Sequence, residues 1–288
     1  MTSRWLLGAR PKTLPAAIVP VALGTTAFVG EGQVIWWRSG AALVVALALQ
    51  VATNYVNDYA DGGRGTDDDR VGPLRLVASG LATPGEVKRA ALVAFLVAGV
   101  AGGALALAVG PELFVVGALS MLAGWAYTGG PRPYGYLGLG EVFVFIFFGL
   151  VATIGSFYVQ DSSVSLLAVE VAVVAGLMAV ALLVINNLRD IPGDTQSGKR
   201  TLAVKLGDRV TRRVYAALFA LTGFGVILAA VERPPALLGL LGLLLALPPI
   251  RAVMGGASGG ALIPVLGQTG RAQLATGLLL SIGLALGG

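Results

Sequence analysis

Apolar residues fall in runs of about twenty along nearly the whole chain, broken by shorter stretches that carry the charges. A helical run of that length crosses roughly 30 Å of hydrocarbon. Nine such segments are predicted, at roughly 13–30, 39–57, 87–110, 111–128, 138–159, 164–187, 212–231, 235–254 and 271–287. The first has basic residues before it, holds Pro15 and Pro20, and lacks a small-residue cleavage site, so it reads as a retained helix rather than a signal peptide. Glycine fills 42 of 288 positions, and small residues let helix backbones approach closely in lipid. The expected fold class is all-α: a polytopic membrane helical bundle of nine transmembrane helices, forming a single domain over residues 1–288.

Two of the polar stretches are long, roughly 58–86 and 188–211. Each opens with an acidic cluster and closes with a helix start. Thr83-Pro84-Gly85-Glu86 has the form of a capping box with proline at the first helical position, and Gly207-Asp208 is a second start. The chain therefore carries an approximate internal repeat of membrane helix, acidic motif, basic loop and membrane helix, with acidic motifs at 54–70 and 186–201.

Composition narrows the chemistry. The chain is 56% hydrophobic and 12% charged, whereas a soluble domain is about a quarter charged. It has no cysteine and no histidine, which excludes thiol nucleophiles, disulfides, Ser-His triads and His-ligated zinc or haem. With nine spans, alternate loops fall on alternate sides. Of the 20 Lys and Arg residues, only Arg38 and Arg233 then fall on one side. This positive-inside pattern predicts a cell (plasma) membrane protein with its N-terminus and long loops cytoplasmic and its C-terminus outside. It also accounts for the pI near 9.7 without nucleic acid as a partner.

Against this apolar background two polar stripes stand out. Asn54, Asn57, Asp58 and Asp61 share one helical face, and Asn186, Asp190 and Asp194 share another. Pro192 should break or kink the second helix near Leu188–Ile191. Both stripes end helices on the same expected side. If helices two and six pack together, the carboxylates face each other across a small cavity. Facing carboxylates repel, so a cation is expected between them, and hard oxygen donors suit Mg2+ carrying a diphosphate. Lys199, Arg200 and Arg132 are candidates for the diphosphate oxygens. Asp67 lies further along the first motif, and Asp68 and Asp69 read as an exposed acidic patch.

At these residues the sequence resembles the UbiA superfamily of intramembrane prenyltransferases, over essentially its whole length. Asn57-Asp58-Tyr59-Ala60-Asp61 matches the first aspartate-rich motif, and Asp190-Ile191-Pro192-Gly193-Asp194 with Gly198-Lys199 matches the second. The common first motif has a further Asp where this chain has Gly65, with Asp67 two residues later. That variant is similar to the menaquinone branch, as are Ala9-Arg10-Pro11-Lys12-Thr13-Leu14-Pro15 and Asn187-Leu188-Arg189-Asp190-Ile191. The resemblance implies nine spans and metal–diphosphate binding by Asp58, Asp61, Asp190 and Asp194. It places Tyr127 and Arg132 near the diphosphate. It further implies Mg2+-dependent transfer from a polyprenyl diphosphate to 1,4-dihydroxy-2-naphthoate with loss of carbon dioxide, in contact with membrane lipid. Arg10 or Lys12 would receive the acceptor's carboxylate, and Phe143, Phe147 or Trp125 would shield the allylic cation. Two other readings stay open: a relative using another acceptor (4-hydroxybenzoate or a phosphorylated sugar), or a secondary transporter.

Overall fold

Helix α6, Leu166–Gln196, is the most buried of the long helices, and the bundle is built around it. In the computed structural model, which describes residues 3–64 and 74–288, seven helices are long and apolar enough to cross a membrane. They are α2 (Trp36–Gly63), α3 (Pro84–Val109), α5 (Gly140–Asp161), α6, α7 (Asp208–Glu232), α8 (Pro234–Met254) and α9 (Gly259–Gly287). Two shorter apolar helices, α1 (Pro15–Ala27) and α4 (Glu112–Ala126), complete the order. They have 13 and 15 residues, about 20–23 Å at 1.5 Å per residue. The structure thus supports seven spans by length, and the expected nine only if these two are counted. No strand occurs among the described residues.

Helix α6 packs against α1, α5, α7 and α9, while α2, α3 and α4 form a second group. The expectation that α2 and α6 pack on each other is not met. Helices α1 and α5 each touch both of them, and the two acidic ends face one another across open space instead. Helices α4 and α5 are consecutive in sequence yet make little contact, which leaves a gap on that flank.

Glycine sets the closest crossings. A Cβ on Gly149 of α5 would lie 2.4 Å from the Cα of Gly176 of α6, so the backbones meet there. This crossing falls within a π-helical stretch of α5, Phe145–Val151. Helix α6 runs unbroken through Pro192, so of the break or kink expected there no break occurs. Proline removes one N–H but its fixed φ is helical. In the same last turns Thr195 Oγ1 donates to the Ile191 carbonyl at 2.7 Å. The capping box forms as expected: Thr83 Oγ1 accepts from Glu86 N–H and Glu86 accepts from Thr83 N–H.

The two cations left on the sparsely charged face have structural work. Arg38 donates to the carbonyls of Val159, Gln160 and Ala108, at the ends of α5 and α3. Arg233 donates to those of Thr26 and Leu284, at the ends of α1 and α9. Helix C-termini carry partial negative charge and unsatisfied carbonyls, which guanidinium groups neutralise. Gly176→Leu should force α5 from α6 and cost about 1–3 kcal/mol. The check is the melting temperature of the detergent-solubilised protein, and an unchanged value would show that the crossing tolerates side-chain volume.

Candidate active site

The long helices deliver polar side chains to one end of the bundle, where a cavity of about 720 Å³ opens. Its polar end is lined by Asn54, Asn57 and Asp61 from α2 and by Asn186, Asp190 and Asp194 from α6. Its apolar length runs past Leu49, Val45 and Ala42, toward the far face. Ala42 and Asp61 are 19 residues apart on α2, about 28 Å at 1.5 Å per residue, so the cavity reaches across most of a hydrocarbon layer.

Each acid is held by a cation or a donor. Asp61 is almost fully buried. Lys199 Nζ donates to its Oδ2 at 2.9 Å, Tyr136 Oη donates to its Oδ1 at 2.7 Å, and Arg75 Nη2 stands 3.7 Å from Oδ2. Arg189 grips Asp190 bidentately, at 2.7 and 2.8 Å. Thr201 Oγ1 lies 3.5 Å from Asp194 Oδ2. Burial alone would lower the Lys199 pKa, but Asp61 and the neighbouring Tyr136 and Asp194 outweigh it, so its ammonium is held above the ordinary range. Lys199 therefore stays charged at neutral pH. Its Nζ also lies 4.7 Å from the Tyr136 ring centre, and the Arg64 guanidinium carbon lies 5.3 Å from the same centre.

The remaining expected residues divide. Tyr127 and Arg10 line the cavity. The Tyr127 phenol keeps its proton at neutral pH and is a donor. Arg10 sits at φ 53°, a left-handed conformation rare for a non-glycine residue. Lys12, two residues on, faces a separate groove. Arg132 and Arg200 are exposed and outside the cavity lining. Asp58 also departs from expectation. It is fully buried, does not line the cavity, and accepts hydrogen bonds from the backbone N–H groups of Leu76 and Val77 at 2.8 and 3.0 Å. On a helix, Asp58 is about 100° from Asn57, which turns it toward the returning loop. Asp67 lies outside the described residues. Of the expected aromatic wall, Phe143 and Phe147 line the cavity, with Phe143 stacked on Tyr134 at 4.0 Å between ring centres. Trp125 does not line it and packs on Tyr59 and Phe95.

Several cavity residues were not singled out from the sequence. Arg75 and Arg189 had the look of topology charges, and Thr128, whose hydroxyl donates to Asn57 Oδ1 at 2.6 Å, gave no signal. Asn187 lines the cavity and donates to buried Glu141 at 2.8 Å. A carboxylate only accepts, so it fixes the Asn187 amide with its NH2 toward α5. Glu141 was not singled out either; its signal was a lone acid near the start of an apolar segment.

All six polar-end donors supply oxygen, none is softer, and they come from two helices. That donor set suits a hard divalent ion that keeps part of its hydration. No tight cluster of three carboxylates is found among the described residues. A profile of the UbiA prenyltransferase family matches residues 17–255. The chain belongs to the UbiA prenyltransferase family. Among its UbiA relatives, the 1,4-dihydroxy-2-naphthoate octaprenyltransferase of Mycobacterium tuberculosis is 47% identical over 285 residues, covering 99% of this chain and 98% of the relative. The protein of that name in Escherichia coli is 38% identical over 304 residues, covering 99% and 96%. A UbiA homologue from Archaeoglobus fulgidus solved with geranyl diphosphate (GPP) and Mg2+ superposes with a TM-score of 0.66 at 14% identity, over 99% of each chain. At that identity the likeness speaks for the fold. The seven apolar helices and this membership make the chain a multi-pass membrane protein.

Asp58→Asn should loosen the turn at Leu76–Val77, since bonds to a charged acceptor contribute on the order of 1.5–3 kcal/mol. Trypsin should then cut after Arg75 about tenfold faster than in the wild type, read by gel in detergent. Cleavage at the wild-type rate would mean that Asp58 does not anchor this loop.

Proposed function

We propose that the chain transfers a polyprenyl group from a polyprenyl diphosphate to 1,4-dihydroxy-2-naphthoate, releasing diphosphate and carbon dioxide and giving demethylmenaquinol. The observation that carries this reading is 47% identity to a 1,4-dihydroxy-2-naphthoate octaprenyltransferase over nearly the full length of both chains. The cavity supports it: an acid-and-amide end suited to a metal diphosphate continues into an apolar length suited to an isoprenoid tail.

Asn54, Asn57, Asp61, Asn186, Asp190 and Asp194 would hold Mg2+, with Asp67 a further candidate from the first motif. Bound there, Mg2+ neutralises charge on the leaving diphosphate. Lys199, Arg189 and Arg75 face the same space and attract the diphosphate oxygens, Arg189 by its planar fork and Lys199 as a point charge. Tyr127 stays protonated and donates. As the carbon–oxygen bond breaks, these preset charges stabilise the growing negative charge. The walls of Phe143, Phe147 and Tyr134 keep water from the allylic carbon and present π-faces to it. The naphthoate ring carbon that bears the carboxylate attacks, forming the new carbon–carbon bond. The carboxylate then leaves as carbon dioxide, its bonding pair restoring the aromatic ring. Arg10, which lines the cavity beside Asn54, is the candidate for the acceptor's carboxylate. The same reading places nine spans in the cell membrane with the N-terminus and active face cytoplasmic and the C-terminus outside.

Product mass spectrometry with dihydroxynaphthoate and a defined prenyl diphosphate tests this directly. A product lacking carbon dioxide, formed with Mg2+ and stopped by EDTA, is expected, and transfer to hydroxybenzoate but not naphthoate would overturn it. Asp61→Ala, Asp190→Ala and Asp194→Ala should each lose at least about 100-fold in kcat, the scale of removing one preset electrostatic group. Full activity in any one removes that residue from the site. Lys199→Met should lower kcat similarly, with stopped-flow diphosphate release as the readout.

A further inference from the structure

A second cavity lies outside the active site, on the same end of the bundle. It is a groove of about 430 Å³ between the start of α1 and α9, lined by Pro11, Lys12, Pro15, Gly267, Arg271 and Leu274 among others. Two exposed cations, Lys12 and Arg271, stand in it, and no acid among the described residues lines it. Glycine makes the room. A Cβ on Gly267 would have only the Lys12 Cδ within reach, at 4.0 Å, and the Gly270 site lies against the Lys12 carbonyl at 2.9 Å.

The groove continues onto an apolar surface. Arg271, Leu274, Leu278 and Ile282 recur at helical spacing along one face of α9. Leu278 and Ile282 are exposed. A cation pair at the rim with an exposed apolar stripe beneath matches a molecule with an anionic head and a hydrocarbon tail. We propose that this groove binds an anionic phospholipid, its phosphate between Lys12 and Arg271 and an acyl chain along Leu274 and Leu278. Basic pockets between helices at the membrane surface recognise such headgroups.

The position gives the lipid a consequence. Residues Pro11–Thr13 form a single 3-10 turn. Thr13 and Arg10 face the active cavity, while Pro11 and Lys12 face the groove. Thr13 Oγ1 accepts hydrogen bonds from Gln50 and Asn54, each at 3.2 Å. One turn of chain therefore separates the two spaces, and a lipid in the groove braces the wall that carries Arg10.

The test is native mass spectrometry of the full chain in neutral detergent, with equal phosphatidylglycerol and phosphatidylcholine. The wild type should retain phosphatidylglycerol in about fivefold excess or more, the ratio expected from an interfacial cation. Lys12→Gln with Arg271→Gln should abolish the preference. Gly267→Leu keeps both charges but fills the groove, so it should abolish the preference too, and it serves if the double variant fails to fold. Arg213→Gln removes an exposed cation elsewhere and should leave the preference intact. A Gly267→Leu protein that keeps the preference, or an Arg213→Gln protein that loses it equally, would reduce the effect to diffuse surface charge and overturn the proposal. Displacement of the lipid by excess inorganic phosphate would also overturn it, by making the groove a site for the free anion.

Discussion

The contact between Lys199 and Asp61 carries more of this architecture than any other. A carboxylate buried at the end of a membrane helix is untenable without an opposite charge, and its removal from water is repaid only by close, well-directed partners. Asp61 has them from three directions. Lys199 comes from the segment after α6, Tyr136 from the segment after α4, and Arg75 from the segment before α3. One acid on α2 thus fastens three connections over the same end of the bundle. The groups that hold the acids at rest are also the groups that a diphosphate would recruit, so a ligand enters by exchanging partners rather than by meeting bare charge.

Arginine performs a quieter version of the same task elsewhere. Arg64 closes α2 onto the carbonyls of Thr128 and Gly130, and Arg212 reaches from α7 to Val253 in the last turn of α8 and to Ala257 beyond it. Arg38 and Arg233 do the same on the opposite face. Helix ends in an apolar bundle leave carbonyls that water does not reach, and a planar five-donor group can satisfy two or three at once. Many of these residues count as membrane-topology charges and as mechanical ties at the same time.

That double duty explains what could and could not be read from the residues alone. The stripes at Asn54–Asp61 and Asn186–Asp194 were legible because helical spacing is a local property, and their meeting at one end followed from the charge pattern. The orientation of Asp58 was not, because it is decided by where Leu76 and Val77 return, eighteen and nineteen residues later. Lys12 and Arg10 were both candidates for the acceptor's carboxylate; a 3-10 turn sends them to different cavities. Arg75 and Arg189 were hidden among cations of the same type. No break occurs at Pro192, which lies in the last turns of α6 and removes a single backbone donor there. The shortness of α1 and α4 was invisible, since hydropathy marks where a chain is apolar and not where it stops being helical.

The π-helical stretch of α5 has a consequence of a different kind. A π-turn carries more residues than an α-turn over the same length. Phe143 and Phe147 reach the cavity wall while Gly149 meets Gly176 because of that surplus. Deleting a single residue between Phe145 and Val151 would remove that surplus and let the helix relax to ordinary winding, with the flanking turns left in nearly their original relative orientation. A deletion elsewhere in α5 has no surplus to absorb it. Everything upstream would then rotate by about 100° relative to everything downstream, and the aromatic wall would swing away though no aromatic residue had been changed. The extra residue is thus a reserve of length, and α5 should tolerate a shortening within this stretch better than anywhere else along it.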